Sequence, residues 1–234
     1  MTERHIVAMG GGGFSSGSST LDRYALSLVG ADRPRVCFLP TASGDDPGYT
    51  LMFYRAYSAY GCDPFVLNLF QRDVDDVLDF ILGMDMVYVG GGNTANMLAV
   101  WRLHGLDAAL RDAWHAGVVM SGLSAGGNCW FDASTTDSYL IGNADPLLDG
   151  LGFIGGSFCP HYSSEPSRRP GYLGLVSTGA LPVGYACEDG AAVHFAGTEL
   201  RAAVSVDGDA ASYRVIRLGD GVSEEALPLV TPAA

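Results

Sequence analysis

Ser124 lies in Gly122-Leu123-Ser124-Ala125-Gly126, a G-x-S-x-G pentapeptide that follows the apolar run Val118-Val119-Met120 and precedes a segment of helical spacing. Strand, tight turn, then helix is the setting of a nucleophile elbow. Small residues are needed on both sides of such a serine, because Cβ atoms at Gly122 or Gly126 would collide with the neighbouring strand and helix. The turn lifts the hydroxyl out of the sheet. At the start of the next helix the amide of Ala125 has no acceptor within its own helix, so it can donate to an oxygen bound beside Ser124. The chemistry these residues allow is acyl transfer through a serine.

A serine hydroxyl needs a base within reach. Of the five histidines, His5 opens the chain, His104 and His115 sit on or beside polar helix faces, and His194 alternates with apolar residues in a strand. His161 differs, because in Phe158-Cys159-Pro160-His161-Tyr162 it stands just past a strand end, the edge where α/β sheets carry their sites. Two acids could orient it. Asp189, in the turn Glu188-Asp189-Gly190, is favoured, and Asp137, in Thr135-Thr136-Asp137-Ser138, is the alternative. A second oxyanion donor has a source in Val89-Gly90-Gly91-Gly92-Asn93-Thr94, where a strand ends in glycines and Asn93 or Thr94 caps a helix. That glycine run and the amide of Ala125 are the expected sources of the two donors.

The run Gly10-Gly11-Gly12-Gly13-Phe14-Ser15-Ser16-Gly17-Ser18 invites a nucleotide reading and fails it in detail. It contains no G-x-G-x-x-G, and a P-loop counted from Gly12 puts Ser18 where lysine is required. It reads as a loop beside the active site that brings small residues near the substrate. Cys129, five residues past Ser124, reads as core rather than as a rival nucleophile.

The rest of the chain has to position these groups. Its 234 residues, 48% of them hydrophobic, suffice for an ordinary core in one domain. The net charge of -13 argues against nucleic acid, whose phosphates call for clustered Lys and Arg. Five cysteines without a CxxC argue against a disulfide framework and a zinc site, and no apolar run of about 18 residues suggests a membrane span. A cytoplasmic location without metal or cofactor is the expectation. Short apolar runs alternate with helical segments, which predicts an α/β fold with a parallel sheet flanked by helices. Strands are predicted at 5–9, 35–39, 63–67, 84–89, 118–122, 155–158, 181–185 and 191–195. Helices are predicted at 20–28, 49–60, 74–81, 94–101, 106–114 and 125–131. Residues 1–195 form the core of this reading, 196–226 an antiparallel extension of the same domain, with strands at 200–206 and 212–218, and 227–234 a poorly ordered tail.

Three segments in this order, Gly90-Gly91-Gly92-Asn93-Thr94, Gly122-Leu123-Ser124-Ala125-Gly126-Gly127-Asn128 and Pro160-His161-Tyr162, make the chain resemble the peptidase E family of serine peptidases over roughly residues 5 to 195. The resemblance implies a flavodoxin-like, class I glutamine amidotransferase-like sheet and no cofactor or metal. It also implies Ser124 as nucleophile, His161 as base, and an oxyanion hole from the Gly90/Gly91 region with Ala125. For the third member it allows either Asp137 or Asp189. Aspartyl dipeptidases of that family carry a basic segment after the histidine, and the cations in the corresponding stretch here are Arg168 and Arg169, so the resemblance implies these two, with Asn93 and Tyr162 of the matching segments, as the side chains that meet the substrate. The function expected is hydrolysis of short peptides, as a dipeptidase or aminopeptidase would perform it, through an acyl-enzyme. A non-catalytic ligand-binding module, or an amidase or esterase of small non-peptide substrates, is the alternative. The partner expected is a short peptide, with no nucleic acid and no membrane, and a homodimer is left open.

Overall fold

The computed structural model describes residues 3–219, 221–230 and 232. The first half of the chain alternates strand and helix: β1 (His5–Met9), α1 (Thr20–Leu26), β2 (Arg35–Leu39), α2 (Pro47–Ala59), β3 (Asp63–Val66), α3 (Val77–Leu82), β4 (Met86–Val89), α4 (Thr94–His104), α5 (Leu106–Ala116) and β5 (Val119–Leu123). A one-turn helix α6 (Ala125–Asn128) then leads into β6 (Phe131–Thr136), β7 (Asp145–Leu147), β8 (Ile154–Cys159), α7 (Arg168–Thr178) and β9 (Gly184–Cys187). Five further strands follow: β10 (Ala191–Ala196), β11 (Glu199–Ser205), β12 (Ser212–Leu218), β13 (Gly221–Ala226) and β14 (Leu229–Val230).

These strands form two sheets. The larger runs β14-β11-β10-β1-β5-β4-β2-β3, and its five strands from β1 to β3 are mutually parallel. Strands β2 and β4 bury every residue but Arg35, as expected of parallel strands covered on both faces. One face packs against Met97, Trp101, Leu110 and Trp114 of α4 and α5. The other packs against Leu21 and Ala25 of α1 and the rings of Phe53 and Tyr57 of α2. Local chemistry starts the helices where they start. Asp46 accepts the Tyr49 amide at 2.6 Å and Pro47 opens α2, while Asp76 accepts the Asp79 amide at 3.0 Å and opens α3 later than the apolar spacing suggested.

The predicted parallel sheet flanked by helices is present, but a second, six-stranded sheet stands beside it in the order β13-β12-β9-β8-β6-β7. It draws in the predicted strand at 155–158 as part of β8. The predicted helix at 125–131 is cut to Ala125–Asn128, because Phe131 leaves the helix to stack on Phe158 at 4.9 Å as the first residue of β6. The predicted strand at 181–185 shifts to Gly184–Cys187. Leu181 is core there, and the Pro182 carbonyl takes the Ser157 hydroxyl at 2.6 Å. Helix α7 has no counterpart among the predicted elements, and it carries Pro170 and Gly171, both poor helix formers, near its start. Pro170 falls in the first turn, where its missing N–H costs nothing. Past residue 195 the strands divide between sheets, β11 pairing with β10 and β12 with β9. Leu229 and Val230, expected in a loose tail, pair with Ala203 and Val204; residues 231, 233 and 234 lie outside the described residues.

One buried acid stands out from the core. Asp22 on α1 is fully buried, with the hydroxyls of Tyr57, Tyr60 and Tyr88 and the Phe14 amide around it. Burial raises its carboxyl from 3.8 to about 7. Between those two values the folded chain keeps a proton that the unfolded chain has lost, so stability falls as pH rises from about 4 to about 7 and then levels. At one pKa unit per 1.36 kcal/mol this is at most about 4 kcal/mol. Thermal melts at pH 5 and pH 8 are therefore expected to show Asp22→Asn gaining stability over the wild type at pH 8 and losing its advantage at pH 5. An unchanged pH slope in the variant would contradict this account.

Candidate active site

Strand β5 delivers Ser124 to the edge of the large sheet and α6 starts at the next residue. Ser124 has φ 54° and ψ -114°, a backbone conformation that is costly for any residue carrying a Cβ. The glycines around it are forced by contact. A Cβ on Gly122 would stand 2.6 Å from the Gly126 carbonyl oxygen, and one on Gly126 would stand 2.2 Å from that of Val89. The Ser124 carbonyl accepts the amides of Gly127 at 2.9 Å and Asn128 at 2.8 Å, which closes the turn. Among the described residues no acceptor is found for the Ala125 amide. Cys129 is fully buried, and burial pushes its thiol well above the ordinary range, as suits a core residue.

Three consecutive residues at the end of β1 hold the rest together. The Met9 carbonyl accepts the Ser124 amide at 3.1 Å, that of Gly10 accepts the His161 amide at 3.2 Å, and that of Gly11 accepts the Gly190 amide at 3.0 Å. Gly11 also pairs with Asp189 in a parallel bridge. A Cβ at Gly11 would fall 2.1 Å from Asp189 Oδ1 and 2.9 Å from His161 Cε1. The glycine run that looked like a loop beside the site is thus the floor under two of its side chains. His161 itself is held at φ 52°.

On that floor His161 Nδ1 meets Asp189 Oδ1 at 2.6 Å. The hydrogen bond from His161 holds the Asp189 carboxyl below its ordinary value, and its charge adds to the effect. An Nδ1 proton held by a carboxylate leaves Nε2 as the ring's proton acceptor. No hydrogen bond joins His161 to Ser124 among the described residues. Asp137, the alternative acid, faces elsewhere: its Oδ1 lies 3.3 Å from Nη2 of Arg168.

Of the three glycine amides after β4, two are already committed. The Gly90 amide donates to the Leu39 carbonyl at 3.1 Å, which removes the expected donor at that position, and the Gly91 amide donates to the Tyr49 hydroxyl at 3.4 Å. Asn93 donates its amide to the Ala42 carbonyl at 2.8 Å. Gly92 remains, with no acceptor among the described residues, and it lines the same cavity as Ser124. Sequence reading missed it because the acceptors at Leu39 and Tyr49 come from other elements.

That cavity encloses about 350 Å³, and Arg168 and Glu165 form one wall. Arg168 is only 3% exposed. Its Nε donates to Glu165 at 2.5 Å and its Nη1 to the Thr135 carbonyl at 3.3 Å, besides the contact with Asp137. Asn93 also lines the cavity, with its side chain engaged in capping: Oδ1 accepts the Asn96 amide at 2.8 Å and Nδ2 donates to the Ser138 carbonyl at 2.9 Å. Tyr162 and Arg169 do not reach it. Tyr162 is fully buried and donates to Glu224 at 2.6 Å, and Arg169 pairs with the same carboxylate and lies 5.6 Å over the Tyr162 ring. The expectation that these two meet a substrate is corrected by their partners on β13. Among the described residues no group of three His, Cys, Asp or Glu side chains could hold a metal ion.

The sequence pattern of Peptidase family S51 matches residues 6–203. The chain belongs to this family. Membership makes it an enzyme, a serine hydrolase that cleaves peptides. It is 47% identical over 230 residues to an uncharacterized peptidase, YgaJ, of Bacillus subtilis (strain 168), covering 97% of this chain and 98% of that one. It is 30% identical over 142 residues to peptidase E of Streptomyces coelicolor, covering 59% and 57% of the two. In fold it is similar to a crystal structure of a peptidase from an acI-B1 Actinobacterium, with TM-score 0.68 at 17% identity, covering 97% and 95%. A putative peptidase E from Listeria monocytogenes EGD-e gives TM-score 0.64 at 18% identity, covering 86% and 98%. Among the described residues no helix is long and apolar enough to cross a membrane.

The floor under His161 and Asp189 can be tested in this S51 chain by one methyl group. Gly11→Ala is expected to drive the pair apart and lower peptide hydrolysis on the order of 100-fold, the effect of misplacing reacting groups by about 1 Å. Gly30→Ala, where the added methyl meets nothing within 4 Å, serves as the control and is expected to leave the rate unchanged. Equal rates for the two variants would show that the contact at Gly11 does not matter.

Proposed function

We propose that the chain hydrolyses the amide bonds of short peptides through an acyl-enzyme formed on Ser124. The observation that carries this reading is the common anchorage of Ser124, His161 and the Asp189 turn to residues 9–11 of β1, which ties a strained serine and a carboxylate-held imidazole to one rigid strand end. His161 Nε2 takes the Ser124 proton as Oγ attacks the scissile carbonyl. The side chains close to hydrogen-bonding distance when substrate enters, as active sites commonly do. The amides of Ala125 and Gly92 receive the oxyanion of the tetrahedral intermediate, with Gly92 taking the part read from the sequence for Gly90 and Gly91. His161 then gives its proton to the leaving amine, and water repeats the cycle on the ester. Asp189 keeps the Nδ1 proton in place and stabilises the imidazolium.

A cavity of about 350 Å³ beside Ser124 favours a short segment of peptide over a long bound chain. Arg168 is the cation in its wall. With Asp137 and Glu165 already on its guanidinium it serves as a fixed polar surface.

Ser124→Ala is expected to abolish labelling by a fluorophosphonate and release of amino acids from dipeptides; labelling that persisted would contradict the assignment of the nucleophile. The two acids are expected to separate by kinetics. Asp189→Asn lowers kcat on the order of 100-fold or more by disturbing the imidazole tautomer, whereas Asp137→Asn changes KM through Arg168 and leaves kcat near that of the wild type. The reverse ranking would transfer the role of third member to Asp137.

A further inference from the structure

We propose that Tyr49 is a positioning residue for the oxyanion hole, clamping the Gly90–Gly92 turn so that the Gly92 amide faces Ser124. This rests on the acyl-enzyme reading above and adds a residue that does not itself touch the reacting atoms.

Tyr49 sits in the first turn of α2, where Asp46 caps its own amide at 2.6 Å. Its ring is wedged between Phe14, with centroids 5.4 Å apart, and Phe38 at 5.0 Å. The ring edge lies against the α-carbon of Gly90, since a Cβ there would stand 2.9 Å from Tyr49 Cε1. That contact explains why position 90 is glycine although its amide belongs to the sheet. From the same ring the hydroxyl reaches the next residue and accepts the Gly91 amide at 3.4 Å. Burial keeps the phenol above its ordinary pKa, so it stays neutral and able to accept through the working pH range.

The opposite side of the turn is fixed by the loop after β2. The Ala42 carbonyl accepts the Asn93 amide at 2.8 Å and would lie 2.2 Å from a Cβ on Gly92, whose φ of 139° already favours glycine. Held at 90 and 91 by Tyr49 and β2, and at 93 by Ala42, the turn keeps one amide without an acceptor among the described residues, that of Gly92. Removing the phenol oxygen leaves the Gly91 N–H without its partner. The peptide plane is then free to tilt in search of another acceptor, and the Gly92 amide tilts with its neighbour. The ring contacts survive in a phenylalanine, so packing and direction of the turn can be separated.

The test compares wild type, Tyr49→Phe and Ser124→Ala with a dipeptide substrate, a fluorophosphonate probe and a peptide boronate that mimics the oxyanion. Tyr49→Phe is expected to lower kcat roughly tenfold, less than the 10²–10³ lost when a donor is deleted outright. KM is expected to stay near the wild-type value, the boronate to bind more weakly by the same factor as kcat, and the melting temperature to stay unchanged. A loss of kcat matched by a loss of melting temperature, or one without weaker boronate binding, would overturn the assignment in favour of a packing role. Wild-type kcat and boronate affinity in Tyr49→Phe would overturn it while labelling of Ser124 kept the acyl-enzyme reading intact. Failure of the wild type to label at Ser124 would sink both.

Discussion

The carbonyl groups of Met9, Gly10 and Gly11 leave β1 in sequence and each ties down a different part of the site. Strand β1 lies between β5 and β10, so its end is fixed by ladders on both sides. What it holds inherits that rigidity. Ser124 arrives on β5 from the large sheet, His161 follows β8 of the second sheet, and Asp189 sits in the turn between β9 and β10, where the chain passes from one sheet to the other. Without a shared anchor, groups from two sheets would keep only the precision of their packing. With it, each backbone is referred to the same three residues.

The anchorage sets conditions on neighbouring residues. Gly10 must be glycine because a Cβ would lie 2.4 Å from the carbonyl oxygen of Cys187, and Gly11 because Asp189 and His161 occupy its space. Two of the three described non-glycine residues with positive φ are Ser124 and His161. Strain at both is maintained because hydrogen bonds fix the backbone around them: the Ser124 amide on Met9 and its carbonyl under the amides of Gly127 and Asn128, the His161 amide on Gly10 and its carbonyl under that of Glu165, a pattern in which surrounding structure over-determines an unfavourable conformation. The same logic extends to Gly90–Gly92, where glycine at each position answers a particular neighbour: the Tyr49 ring, Leu123 with Ser124, and the Ala42 carbonyl.

Local pattern made part of this legible. The tight turn at Ser124 was legible because the elbow is contiguous in sequence and its glycines are dictated by near neighbours. The places of His161 and Asp189 were legible because each follows a strand end. The second sheet was harder to see. Strand β6 begins inside a stretch of helical spacing, and α7 opens with Arg168-Arg169-Pro170-Gly171, where proline and glycine disfavour a helix. Without α7 the fate of its two arginines stays hidden as well: one is buried in the cavity wall and the other is drawn to Glu224 on a hairpin more than fifty residues away. Gly92 and Tyr49 were beyond reach for a related reason, since which amide of a glycine run stays free depends on acceptors from distant segments.

A crystal structure of the protein phosphonylated on its active serine is the most direct check on this arrangement. The account predicts a single adduct on Ser124 Oγ, its phosphoryl oxygen between the amides of Gly92 and Ala125, with His161 still on Asp189 and both still hung from residues 10 and 11. An adduct on another residue, or a phosphoryl oxygen turned away from both amides, would contradict it.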